Sequence, residues 1–130
     1  MDLVLFCVKT YDLDAAAAQL PPLIGPHTMV LPLQNGIDSA ERLATTVPPA
    51  AVLGGVAYVA ATREAPGVIV HRGMNRVVIG ERNGRISSSR IAQIRDMFSR
   101  TAVTADLHPD IRVALWEKFV ALAATGGSWQ

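Results

Sequence analysis

Leu3-Val4-Leu5-Phe6-Cys7-Val8 runs without a polar residue and is followed at once by Lys9. An unbroken apolar run of this length is the pattern of a strand covered on both faces in a parallel sheet. A half-exposed strand would alternate instead. Thr28 to Leu33 repeats the pattern and also ends in a polar turn, Gln34-Asn35-Gly36. Between the two runs, Asp12 to Leu20 is alanine-rich and stops at Pro21-Pro22, which reads as a short helix. Strand, helix and strand in that order predict an α/β domain built on a parallel sheet.

Outward from this unit, Asp38 opens a second helix. Glu41 stands three residues on, in capping-box position, and Thr46-Val47-Pro48-Pro49 closes the helix. Val52 to Ala61, Val68 to His71 and Arg76 to Gly80 read as short strands of a meander that extends the sheet. Ala65-Pro66-Gly67 and Gly73-Met74-Asn75 separate them. Gly54-Gly55, inside a β run, marks a bulge or a close backbone approach. Ser89 to Phe98 is an amphipathic helix with Ile91, Ile94 and Phe98 at helical spacing. Ala102 to Ala105 is a candidate edge strand, and Asp110 to Ala124 the last helix, with Pro109 near its first turn.

Composition narrows the classes. Half of the 130 residues are apolar and 18% are charged, which excludes a disordered chain. A net charge of +1 with scattered arginines gives no footprint for nucleic acid. A single cysteine, Cys7, excludes a disulfide framework and points to a reducing compartment. No apolar run is long enough to cross a bilayer, and no basic region precedes an apolar one as in a secretory leader. A cytoplasmic location is the expectation. A buried strand starting two residues from Met1, and an apolar last helix followed only by Thr125 to Gln130, lead us to expect a chain cut at both ends.

Three positions could carry chemistry. Lys9 and Asn35 directly follow the two buried strands, and open α/β sheets bind ligands at the carboxyl ends of their strands. Each has a plainer reading: Lys9 as a solvated charge leaving the core, Asn35 as ordinary Asn-Gly turn chemistry. Lys118 is the third. On a helical wheel of ~100° per residue, Leu115, Phe119 and Leu122 lie within about 80° to one side of Ile111, and Lys118 about 20° to the other. Val113, Trp116 and Val120 make the opposite face apolar too, so the helix is expected to be buried nearly all round. Lys118 then reads either as a snorkelling lysine or as an ammonium in a partly desolvated cleft, set to protonate a substrate oxygen. His27, His71 and His108 lack metal-ligand spacing, and no G-x-G-x-x-G, Walker or nucleophile-elbow motif occurs.

Four segments, in order, resemble the ketopantoate reductase (2-dehydropantoate 2-reductase) family. They are Val8-Lys9-Thr10-Tyr11-Asp12, Leu33-Gln34-Asn35-Gly36-Ile37, Gly55 to Ala61 followed by Gly67 to His71, and Leu115-Trp116-Glu117-Lys118-Phe119. The resemblance implies the C-terminal half of a Rossmann-like NAD(P)-binding domain over 1–107 and the start of a helical substrate domain over 108–130. It implies NADP(H) as cofactor and ketopantoate as the 2-keto acid substrate. Lys9 and Asn35 would contact the cofactor, Asn35 would also lie near substrate, Ala61 would give NADP a backbone contact, and Lys118 would be the general acid. Thr62 to Pro66 reads as a loop that loosens the Ala61 correspondence.

The chain also departs from the family pattern. Leu122 and Gly126 stand where many members carry substrate-binding asparagines, so a related 2-keto acid reductase is a second reading. The glycine-rich half of the nucleotide-binding domain and most of the helical domain, with its catalytic glutamate, have no counterpart in this sequence. No turnover by the chain alone is therefore expected. A third reading is a non-catalytic remnant that self-associates through the exposed edge of the Leu3 to Val8 strand, giving a homo-oligomer.

Overall fold

The computed structural model describes residues 2–82 and 88–124. Strand β1 (Leu3–Phe6) lies parallel to β2 (Met29–Pro32), with Leu3 opposite Met29 and Phe6 opposite Pro32. Helix α1 (Leu13–Ala17) makes the crossover, flanked by 3-10 turns at Thr10–Asp12 and Pro21–Leu23. After β2 come α2 (Ser39–Leu43) and a long antiparallel hairpin, β3 (Leu53–Ala65) with β4 (Val68–Glu81). Helix α3 (Ser89–Ser99) leads to β5 (Thr104–Leu107), which pairs parallel to β4, and α4 (Ile111–Ala124) follows. A parallel bridge between Val30 and Val52 ties the two sheets together.

Period-2 alternation gives each sheet face its own helix. Leu53 and Ile79 pack with Leu31 of β2 and with Ile91 and Ile94 of α3. Val56 and Val78, a cross-strand pair, meet Ile111 and Ala114 of α4. Phe6, Val30 and Val52 form the third cluster with Leu13 and Leu43. The close approach expected at Gly54-Gly55 is present. A Cβ on Gly54 would lie 2.5 Å from Ile111 Cγ2, and one on Gly55 2.8 Å from Leu31 Cδ1 and from Leu33 Cδ2. Gly80, next to Gly54 across the ladder, meets the His108 carbonyl oxygen in the same way.

Several local expectations are corrected. Only β2 is buried throughout; β1 has a single neighbouring strand among the described residues, and Leu5 is 47% exposed. The helix expected over Asp12 to Leu20 keeps regular α geometry only at Leu13–Ala17. The capping box at Asp38 does not form: Asp38 makes no cap bond, and Glu41 instead accepts from Arg82 at 3.0 Å. Val68 to His71 and Arg76 to Gly80 are one strand, and the expected Thr62 to Pro66 loop is strand as far as Ala65. Gly73 (φ +122°) and Met74 (φ +37°) take the extra residues as an irregularity between the Val59–Asn75 and Ala61–His71 pairs, so the ladder continues past them. The late strand lies at Thr104–Leu107, two residues beyond its expected place. Helix α4 is covered on one side only, with Trp116 52% and Val120 60% exposed. Gly126 lies outside the described residues.

Candidate active site

The parallel register sets the ends of β1 and β2 side by side. The Leu33 amide donates to the Phe6 carbonyl at 3.0 Å, carrying the ladder one step beyond β2. Gln34 Nε2 then donates to the Val8 carbonyl at 2.5 Å, so the two strand ends are stapled by a side chain. Lys9 and Asn35 follow these bonded residues and are brought to one edge of the sheet. Lys9 is exposed, and its side chain makes no hydrogen bond or ion pair among the described residues. Asn35 is half-buried. The left-handed position of its turn is Gly36 (φ +109°), so Asn35 itself carries no such strain.

Gln34 does not stand out in the sequence beside the Asn35-Gly36 turn signal. It is buried, and its Oε1, like Ser39 Oγ, has no hydrogen-bond partner among the described residues. Both side chains line a small cavity with Gly36, Gly54, Gly55 and Leu115. The turn after β2 therefore borders α4, and two glycines without side chains make the approach possible. A polar residue placed directly after a fully apolar strand was the available signal.

Lys118 stands one turn beyond Leu115. Its ammonium donates to the Ala57 carbonyl of β3 and lies 5.4 Å from the centroid of the Tyr58 ring. The side chain is half-buried, and burial lowers its pKa from the ordinary lysine value. Loss of water makes the proton easier to give up, while the carbonyl and the aromatic face favour the charged form and hold the ammonium in place. Ala61 lies farther along β3, exposed, beyond the irregularity, and is not brought into this group. The three histidines stay apart. His71 Nε2 lies 3.0 Å from the Met74 carbonyl, and His108 Nδ1 accepts from the Asp110 amide. Among the described residues no three His, Cys, Asp or Glu side chains converge on a metal site, and no helix is long and apolar enough to cross a membrane.

Comparison with known proteins places this architecture. The family model described as "Ketopantoate reductase PanE/ApbA" matches residues 1–84. A 2-dehydropantoate 2-reductase of Halobacterium salinarum is 38% identical over 117 residues, covering 90% of this chain and 38% of that protein. An uncharacterized oxidoreductase, YkpB, of Bacillus subtilis is 28% identical over 127 residues, covering 97% and 42%. The crystal structure of 2-dehydropantoate 2-reductase from Geobacter metallireducens superimposes with a TM-score of 0.87 at 35% identity, covering 94% of this chain and 40% of that one. The Porphyromonas gingivalis enzyme gives the same TM-score at 30% identity, covering 97% and 44%. The chain thus spans about two fifths of the length of the relatives it matches.

Proposed function

From the premise that the chain belongs to the ketopantoate reductase PanE/ApbA family, we propose that it is the part of a 2-dehydropantoate 2-reductase that joins the cofactor edge to the proton donor. Residues 1–107 are the C-terminal half of a Rossmann-like NAD(P)-binding domain, and 108–130 begin the helical substrate domain. The observation that carries this reading is Lys118: a half-buried ammonium held on the Ala57 carbonyl, with its pKa lowered by burial.

The residues present fit a phosphate-bearing dinucleotide at one point. Lys9 has no ion-pair partner among the described residues and lies in the segment that leaves the carboxyl end of β1, where open α/β sheets take up ligands. When bound, NADPH supplies hydride to the keto carbon. Lys9 holds cofactor phosphate, Asn35 orients the cofactor and the substrate beside it, and the Ala61 backbone makes a further cofactor contact. Lys118 donates a proton to the substrate oxygen as negative charge develops there. Pyrophosphate anchoring by a glycine-rich turn has no counterpart in this sequence, so the 130-residue chain alone turns over no substrate. In the chain by itself, a second copy would pair along the edge of β1 that has no neighbouring strand among the described residues.

A second reading, a reductase for a related 2-keto acid, has one observation in its favour: Leu122, an aliphatic residue, occupies the position one turn after Lys118. The test is to extend the chain with the corresponding segments of the Geobacter relative and follow NADPH oxidation with a panel of 2-keto acids. Preference for ketopantoate is expected. Preference for another keto acid selects the second reading, and a folded extended protein with no turnover on any of them sinks both.

A further inference from the structure

Lys118 is reached by more than the carbonyl that accepts its hydrogen bond. We infer that Tyr58 positions Lys118, its ring holding the ammonium at the β3 face; this rests on the reading of Lys118 as proton donor. The ring centroid lies 5.4 Å from Lys118 Nζ, within the distance at which an ammonium is attracted by an aromatic face. Ala57 and Tyr58 are consecutive, so one short segment of β3 supplies both contacts. An ammonium has three N–H donors. The carbonyl accepts from one of them and the ring face attracts the charge as a whole, which leaves donor capacity for a substrate oxygen.

The ring is itself held. Tyr58 packs at the margin of the cluster formed by Val56, Val78, Ile111 and Ala114. Arg76, its cross-strand partner on β4, brings its guanidinium to 5.6 Å from the same centroid and pairs with Asp106 of β5 at 2.6 Å. Tyr58, Arg76 and Asp106 are the charged or titratable groups that β3, β4 and β5 contribute to this chain of contacts, and Glu117 is the neighbour on α4 itself. Three strands therefore fix the ring on which one helix residue rests. A plain snorkelling lysine would reach past the ring into water, with its position set by its own stem.

The experiment uses the chain as it stands. Lys9 and Lys118 are its two lysines, so lysine labelled with ¹³C at the ε position gives two signals, one of them an internal reference. In the wild-type chain the Lys118 ε-methylene protons are expected upfield of those of Lys9, through the ring current of Tyr58. In Tyr58→Leu, which keeps apolar cover but removes the π face, that displacement is lost. The Lys118 midpoint also falls by about half to one pH unit, the equivalent of one cation–π contact. Tyr58→Phe keeps both properties near wild type. Coincident ε-methylene signals in the wild type overturn the inference even if Tyr58→Leu fails to fold, and so does a Tyr58→Phe variant displaced as far as Tyr58→Leu. Because the titration needs no turnover, its failure is distinct from failure of Lys118 as acid, which is read in the extended protein.

Discussion

The two lysines mark two regions built on opposite terms. Lys9 stands at an open sheet edge, solvated and without a side-chain partner among the described residues. Lys118 stands between α4 and β3, half-buried, on a carbonyl and beside a ring. A full hydration shell keeps an ammonium charged and ready to meet an anion, whereas a reduced shell makes the proton easier to lose. Binding and proton transfer thus call for different surroundings of one side chain, and the two regions supply them separately. The difference also shows in how each is fixed: backbone pairing and Gln34 hold the strand ends, while Lys118 depends on packing between elements far apart in sequence.

Substitutions in the extended protein can break this division. Lys118→Ala is expected to lower kcat by about 10²–10⁴, the usual loss on removing a positioned acid, with little change in KM for NADPH. Lys9→Ala is expected to raise KM for NADPH by roughly 10–100-fold, the loss of one charge-assisted contact, and to leave kcat nearly unchanged. Steady-state kinetics of both variants decide the matter. If Lys9→Ala falls in kcat and Lys118→Ala only in KM, the assignment of the two regions is reversed.

A smaller effect tests the packed region alone. Gly54→Ala would put a methyl group 2.5 Å from Ile111 Cγ2 at the base of α4. Overpacking of that kind costs about 1–3 kcal/mol, and urea unfolding is expected to show it. Removing the opposing γ-carbons should relieve the clash, so Gly54→Ala is expected to cost less in an Ile111→Ala background than in the wild type. Full additivity of the two changes would mean that Ile111 does not set the distance between α4 and β3.

Legibility in the sequence follows the same line. The parallel β1–β2 pair, with Lys9 and Asn35 at adjacent strand ends, was readable because apolar runs and the polar residues that end them are local signals. The exposure of Leu5 was not, since LVLFCV looks the same with one face open as with both covered. The Gly73-Met74 irregularity looks like a strand break in sequence because glycine punctuates loops more often than it interrupts ladders. Lys118 stood out from its helical period, but Tyr58 did not. Its role depends on register: Tyr58 opposite Arg76 in the hairpin, and α4 lying on the face they share. Asn-Gly is the stronger turn signal and overshadows Gln34, although Gln34 makes the bond that joins the strand ends.

The smallest expected effect concerns stability, and it has a definite sign. Burial holds the Lys118 pKa below its value in the unfolded chain, ordinarily about 10.4. Between the two values the unfolded chain binds more protons, so wild-type stability rises with pH across that window. Above about 10.4 the stability linked to this group is present in full; as pH falls through the lowered folded value it is lost. Lys118→Met keeps the stem and removes the charge, so it should raise Tm at neutral pH, by an amount that shrinks as pH climbs through the window. Lys9→Met, at an exposed position, should stay within about 0.5 kcal/mol of wild type throughout. Thermal melts of both variants at neutral and alkaline pH supply the comparison. A Lys118→Met variant less stable than wild type at neutral pH would mean that the Ala57 carbonyl and the Tyr58 ring more than offset the lost hydration. Lys118 would then be a structural pin, and the contrast with Lys9 would lie in position alone.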